Sequence, residues 1–311
     1  MKMSGLVYRE EDRSVPIPPH EKSLQTVTAD YWLQIHNKQA LHGEGTCFDQ
    51  DGNLYFTIIY EGKVCRIDAG TREVKTIFED PERKCASVKI HKDGRLFISC
   101  LNRVKEGRVF AIRPDGSGYE DIVVGYSIDD LVFDEDGGFY FTELTGDATN
   151  PIGAVHYVTP DFKKVKPYMT GMAGPNGIAI SPDYDVLWIT ESHTGRIHRV
   201  MLKGKNYTTK NVVYTITGFY GPDSCEVDGD GNLYIAVYGQ GRVLVLNKNG
   251  LPIGQVLLPN REHNLWVTHT DIKPGTRQLY IIAADDTGDD GCWLFKTEAF
   301  AKANENSFQF K

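Results

Sequence analysis

The sequence predicts an all-β fold, a six-bladed β-propeller, and three observations carry that prediction. A unit made of a polar residue, a strand, an Asp-Gly-type turn and two further strands recurs six times; it is clearest over residues 221–250, GPDSCEVDGDGNLYIAVYGQGRVLVLNKNG. The turn positions Gly52, Gly94, Gly137, Asp185, Gly231 and Gly275 are spaced by 42, 43, 48, 46 and 44 residues, the length of one four-stranded blade. Strand-type runs bounded by turn residues fill the chain, and no helical pattern competes until AFAKANEN near the C-terminus.

Residues 1–20 are polar and end in Pro16, Pro18 and Pro19, which reads as an arm lying over the surface. Residues 21–311 read as a single propeller domain. Ring closure needs a strand from one terminus to complete a blade begun by the other, and residues 24–35 are the candidate, pairing with the sixth blade. The copies then follow in order: GEGTCFDQDGNLYFTIIYEGKVCRID, CASVKIHKDGRLFISCLNRVKEGRVFAIRPDG, SIDDLVFDEDGGFYFTELTGDATNPIGAVHYVTPD, GPNGIAISPDYDVLWITESHTGRIHRV, the stretch quoted above, and THTDIKPGTRQLYIIAADDTGDDGCWLFKT.

Composition narrows the function. Apolar content of 41% and charged content of 24% over 311 residues are those of a globular protein. A net charge of −8 supplies no basic surplus to displace counterions from phosphates, so a nucleic-acid partner is not expected. The N-terminus lacks the apolar core of a secretory signal, and no apolar run approaches the roughly 18 residues of a membrane span. The expected location is the cytoplasm, with no membrane partner. The six cysteines form no CxxC pair and sit mostly in apolar runs, where reduced thiols pack as small hydrophobes.

A propeller places equivalent repeat positions at equivalent places around its axis. Eight residues before the turn glycine stand Glu44, Ala86, Asp129 and Asp223; with an allowance for differing turn length, Asn176 and His269 are taken as the counterparts in the fourth and sixth copies. Each precedes an innermost strand, so the set faces the tunnel mouth. Polar groups this close to an axis repel one another unless a cation sits between them. Carboxylates and an amide without thiolates suit a hard ion: Ca²⁺ first, with Mg²⁺ or Mn²⁺ as substitutes. The acids of the Asp-Gly turns, Asp51, Asp93, Asp136 and Asp230, are turn chemistry and receive no role. His269 is a catalytic candidate, although a tunnel histidine can also serve only to hydrogen-bond its neighbours. No GxSxG elbow, phosphate loop or HExxH motif is present.

The runs GEGTCFDQDGNLYFT, IDDLVFDEDGGFYFTE, PNGIAISPDYDVLWITES and GPDSCEVDGDGNLYIAVYGQGRVLVLNKNG resemble the senescence-marker/gluconolactonase (regucalcin-like) family of calcium-dependent hydrolases, over nearly the whole chain. The resemblance implies that Glu44, Asn176 and Asp223 ligate a catalytic divalent ion, with Asp129 a ligand or its immediate neighbour and Ser224, which follows the key carboxylate, counted with them as a metal-site residue. It implies that Asp223 is the acid/base or nucleophilic group. Two departures stand out. Ser127 occupies the place of an Arg found in sugar-lactonase relatives, which turns the reading away from aldonolactones. The loop EDIVVGYS before Asp129 is shorter than the one that binds a second, structural calcium in a near relative.

The function expected is divalent-metal-dependent hydrolysis of a small lactone, with Asp223 moving the proton. Loops around the mouth contribute Tyr126, Leu144 to Pro151, Met172, His193, Phe219, Tyr220 and Trp266, a largely apolar and aromatic set that favours a hydrophobic or aromatic lactone. Two alternatives remain open. One is phosphotriester hydrolysis of the diisopropylfluorophosphatase type, an enzyme whose architecture is similar. The other is a non-catalytic calcium-binding scaffold, since fold alone does not establish catalysis.

Overall fold

The computed structural model describes residues 6–7, 15–38, 42–202, 210–285 and 291–305. Six sheets surround a central axis, and consecutive strands within each repeat pair antiparallel. Blade one holds β3 (Gly43–Phe48), β4 (Leu54–Ile58), β5 (Lys63–Ile67) and β6 (Val74–Glu79). Blade two holds β7 (Lys84–Ile90) to β10 (Glu120–Val124), and blade three β11 (Ile128–Phe133) to β14 (Val165–Met172). Blade four runs from β15 (Pro175–Ile180) to β18 (Lys210–Thr215). Blade five comprises β19 (Pro222–Val227), β20 (Leu233–Val237), β21 (Arg242–Leu246) and β22 (Pro252–Leu257).

The chain closes the ring with two N-terminal strands rather than one. β2 (Asp30–His36) pairs antiparallel with β25 (Cys292–Glu298), completing the sixth blade outside β23 (Trp266–Ile272) and β24 (Gln278–Ala284). Just before it, β1 (Gln25–Thr28) lies parallel to β22 and adds a fifth strand to blade five. Ala29, 2% exposed, marks the crossing between the two blades. The closing segment therefore ties two neighbouring blades together.

The inner two strands of each blade are almost wholly buried, and their side chains pack face to face with adjacent blades. Trp188 and Tyr234 are among the largest buried side chains, and clusters built on Phe56, Phe110 and Phe139 fill the spaces between sheets. All six cysteines are free and buried.

The turn after each inner strand shows how the repeats align. Gly52, Gly94, Gly137 and Gly231 have φ of 80°, 84°, 94° and 85°, and each closes a turn onto a carbonyl three residues back. In blade four that place is taken by Tyr184, at φ 57° with its N–H on Ser181 O at 2.9 Å. In blade six the closing N–H is that of Thr276, on Lys273 O. In blade four the turn residue is thus Tyr184 rather than Asp185, while in blade six Gly275 keeps the left-handed φ of 71° expected of it and the turn closes one residue later, on Thr276.

Residues 299–305, the described part of AFAKANEN, form no α-helix. Ala303 makes an isolated bridge to Asp228, its N–H reaches Thr276 O at 3.1 Å, and Phe300 N–H reaches the Tyr234 hydroxyl at 2.7 Å. Docking beneath blades five and six outweighs the helical propensity of its alanines. Among the described residues no helix is long and apolar enough to cross a membrane.

Candidate active site

Every inner strand carries an irregularity in its pairing with the second strand, and the predicted site residues lie at it. Asp129, Asn176 and Asp223 sit within the interrupted registers of β11, β15 and β19, and Glu44 borders that of β3. A bulge re-aims the side chains there instead of continuing the pleat.

A second-strand hydroxyl then clamps the next blade's bulge. Thr57 Oγ1 donates to Ala86 O at 3.2 Å, Ser99 Oγ to Asp129 O, Thr142 Oγ1 to Asn176 O, and Thr190 Oγ1 to Asp223 O at 2.7 Å. Four successive blades share this contact, so the hydrogen bonding itself identifies these residues as repeat equivalents. In blade six the irregularity falls between Val267 and His269, and Thr268 Oγ1 donates to Gly43 O at 2.7 Å. Thr268 therefore holds the ring position.

His269, expected there, stands one residue further on. It is fully buried, its Nδ1 is 2.7 Å from Thr46 Oγ1, and its Nε2 has no hydrogen-bond partner. Burial, with the Lys89 ammonium adding to it, pushes its pKa well below the ordinary value, so the ring is neutral.

The ring residues form one electrostatic unit. Glu44, Asp129, Asn176 and Asp223 are all at most 9% exposed. Burial raises the Glu44 carboxyl well above its usual range, and repulsion from Asp223 and Asp129 raises it further. Burial and then Asp223 do the same to Asp129. Burial lifts Asp223 to about 7, held down only in part by a hydrogen bond from the Asn176 side chain and by the Ser224 backbone N–H. Asn176 Oδ1 is buried without a hydrogen-bond partner. Ser224, 1% exposed, donates its hydroxyl to Glu44 Oε1 at 3.2 Å, and Gly45 N–H donates to the same oxygen at 3.0 Å.

These donors fit a hard divalent cation. Asp223 repels both Glu44 and Asp129, and Asn176 Oδ1 is orphaned beside them, a pattern of charge and unpaired oxygen that a hard cation would relieve. Among the described residues no three His, Cys, Asp or Glu side chains make a ready-formed metal group. The fit therefore rests on charge and on the unpartnered oxygen of Asn176.

A second charged layer lies deeper in the tunnel. Lys89, Glu226 and Asp271 stand three residues beyond Ala86, Asp223 and Thr268, and all are buried. Lys89 Nζ is 3.4 Å from Glu226 Oε2, while Asp271 accepts the N–H groups of Ile272 at 2.7 Å and Phe48 at 3.0 Å. The same periodicity applied three residues on would have found them.

The expected substrate residues divide. Phe219 (75% exposed) and Tyr220 lie open at the mouth, and Tyr220 meets Trp266 edge-on at 4.9 Å. Trp266 packs on Tyr238 at 4.6 Å and stacks at 6.4 Å on His42, two residues before Glu44; Tyr60 is 6.0 Å from His42. His42, Tyr60 and Tyr238 complete an aromatic arc that the loop reading missed, although their place next to ring strands was visible. Met172 is instead core, 1% exposed in the cluster between blades three and four. Tyr126, half-buried, packs edge-on against Phe141 and His156 of blade three. His193 ties rim loops together, with Nδ1 at 2.9 Å from Gly146 O. A cavity of about 600 Å³ between blades one and two, lined by Asp49, Tyr55, Arg66 and Lys75, lies at the opposite end of the strands from the ring.

A family model and the sequence relatives agree on one family. A family model described as SMP-30/Gluconolactonase/LRE-like region matches residues 42–285. A Staphylococcus saprophyticus protein named lactonase drp35 is 45% identical over 98% of this chain and 97% of its own. Its Staphylococcus aureus namesake is 45% identical over 97% of this chain and 96% of its own. Among solved structures, a calcium-binding regucalcin from Agrobacterium tumefaciens superimposes with a TM-score of 0.72 at 17% identity, over 90% of this chain and 98% of that one. At that identity the likeness concerns the fold.

Proposed function

Because the chain belongs to the SMP-30/gluconolactonase/LRE-like family, we propose that it is a divalent-cation-dependent lactonase acting on a small hydrophobic or aromatic lactone. One observation carries the proposal: three buried carboxylates, Glu44, Asp129 and Asp223, lie near the unpartnered Asn176 Oδ1, and the Asp223 charge raises the carboxyls of the other two. Relatives named lactonase, at 45% identity over nearly the full chain, support the reaction class.

In this reading Glu44, Asp129, Asn176 and Asp223 hold the cation, Ca²⁺ in the first instance, with Mg²⁺ or Mn²⁺ as substitutes. A bound divalent ion supplies Lewis acidity for the lactone carbonyl and lowers the pKa of water. Ser224 and Gly45 fix Glu44 through its Oε1, and Thr190 fixes the Asp223 backbone. Asp223 takes the proton from the attacking water and returns it to the alkoxide released when the C–O bond breaks. The arc of Tyr220, Tyr238, Trp266 and His42 supplies flat apolar walls beside Glu44 and Asp223, which suits a planar or aromatic substrate. His269 has no part in this chemistry.

The test is turnover of dihydrocoumarin set against a fluorophosphonate by the purified, calcium-supplemented protein. Hydrolysis of the lactone with little action on the phosphonate supports the reading. Phosphonate hydrolysis alone would overturn it in favour of phosphotriester chemistry.

A further inference from the structure

A relay of hydrogen bonds, anchored on a fully buried ion pair, reaches the mouth from outside the ring. Glu21, at the end of the N-terminal turn Pro19–Glu21, and Arg242, at the start of β21, both have fully buried side chains. Arg242 Nη1 donates to Glu21 Oε2, and its Nε and Nη2 both donate to Gln240 Oε1, at 3.1 and 2.9 Å. Gln240 Nε2 in turn donates to Thr217 O at 2.9 Å. Thr217 begins the short segment that carries Phe219 and Tyr220 into β19 and so to Asp223. The other Glu21 oxygen accepts the Tyr214 hydroxyl at 2.5 Å, on the strand that delivers the chain to this segment. One carboxylate thereby acts on the segment's approach and, through Arg242 and Gln240, on its first residue.

The segment itself needs holding. Tyr220 has a left-handed φ of 59°, an unfavourable conformation for a bulky residue. Its ring lies against Gly239, where an added Cβ would stand 2.6 Å from Tyr220 Cδ2. A buried ion pair is a poor device for stability alone, because well-packed apolar residues do as well. Directional donors from one guanidinium do what apolar packing does not: they set position.

We propose that Glu21 is a positioning residue for the reaction: through Arg242 and Gln240 it holds Phe219 and Tyr220 at the mouth, so the N-terminal turn governs substrate fit without touching substrate. The proposal rests on the lactonase reading for its kinetic consequence, but its structural consequence can be read separately.

The experiment uses the full chain with Glu21→Gln, which keeps the side chain's shape and removes its charge. Three readouts apply: dihydrocoumarin kinetics, Ca²⁺ affinity by calorimetry, and backbone hydrogen exchange. The expected result is a KM raised roughly tenfold with kcat and Ca²⁺ affinity little changed, and faster exchange at residues 216–221. Gln240→Met leaves the ion pair in place and gives the same pattern, which covers the case in which Glu21→Gln does not fold. Ile67→Val, in the blade-one core, lowers stability without either effect. Unchanged KM and unchanged exchange at 216–221 in the folded variants overturn the proposal, as does a KM rise equalled by Ile67→Val. Should the wild type not hydrolyse lactones, the functional reading falls, and exchange at 216–221 alone decides the role of Glu21.

Discussion

The hydroxyl of Ser224 donates to Oε1 of Glu44 at 3.2 Å, joining the inner strand of blade five to that of blade one with blade six between them. Ser224 thus orients a carboxylate contributed from elsewhere in the ring. Groups that orient metal ligands typically carry 10- to 100-fold of affinity. Ser224→Ala should weaken Ca²⁺ binding by about tenfold while leaving the melting temperature close to that of the wild type. Calorimetric titration alongside a thermal melt checks both.

Asp223→Asn keeps the side chain's size and one oxygen but removes its capacity to carry a proton. Turnover should fall by about 10² to 10⁴ with the fold intact by circular dichroism. Near wild-type turnover in the purified variant would remove Asp223 from the proton-transfer role.

The pH dependence of the cation-free protein has a definite sign. Burial raises Asp223 to about 7, and Glu44 and Asp129 shift in the same direction. A raised carboxyl holds a proton in the folded chain that the unfolded chain has already lost above about 4. Its stabilising contribution is therefore complete below that value and is lost as pH rises through 7. Melting temperature in EDTA should fall between pH 5 and 8, and saturating Ca²⁺ should reduce the fall. A melting temperature in EDTA that rises over this range would show that the ring acids are ionised without a cation.

Gly177 tests how closely the ring strands must approach. A Cβ there would stand 2.5 Å from Ser224 Cα and 2.7 Å from Cys225 N, both backbone atoms that cannot move aside. Gly177→Ala should cost about 1 to 3 kcal/mol and lower Ca²⁺ affinity, because the displaced strand carries Asp223 and Ser224. Chemical denaturation and calorimetry measure the two losses.

Much of this architecture is legible in the sequence because a propeller turns repeat spacing into geometry. Glu44, Asp129, Asn176 and Asp223 align on repeat phase alone, and the second-strand hydroxyl clamps single out Asp129, Asn176 and Asp223 as equivalents by an independent contact. In blade six the turn closes on Thr276, and the eight-residue count from there gives Thr268; His269, only six residues before Gly275, does not fit the spacing of the other copies. Met172 reads as a loop residue because nothing local distinguishes a buried methionine at a strand end from an exposed one. The helical propensity of AFAKANEN yields to its docking against Asp228 and Tyr234. The relay from Glu21 to Thr217 links residues almost 200 positions apart, and no local pattern announces it.

The most direct test of the central claim is dihydrocoumarin hydrolysis by protein stripped with EDTA and then titrated with Ca²⁺, with Glu44→Gln measured beside it. The account predicts that stripping abolishes turnover and that Ca²⁺ restores it in the wild type. Glu44→Gln should require a much higher Ca²⁺ concentration. Full turnover persisting in the stripped protein, or identical Ca²⁺ dependence in the two proteins, would contradict it.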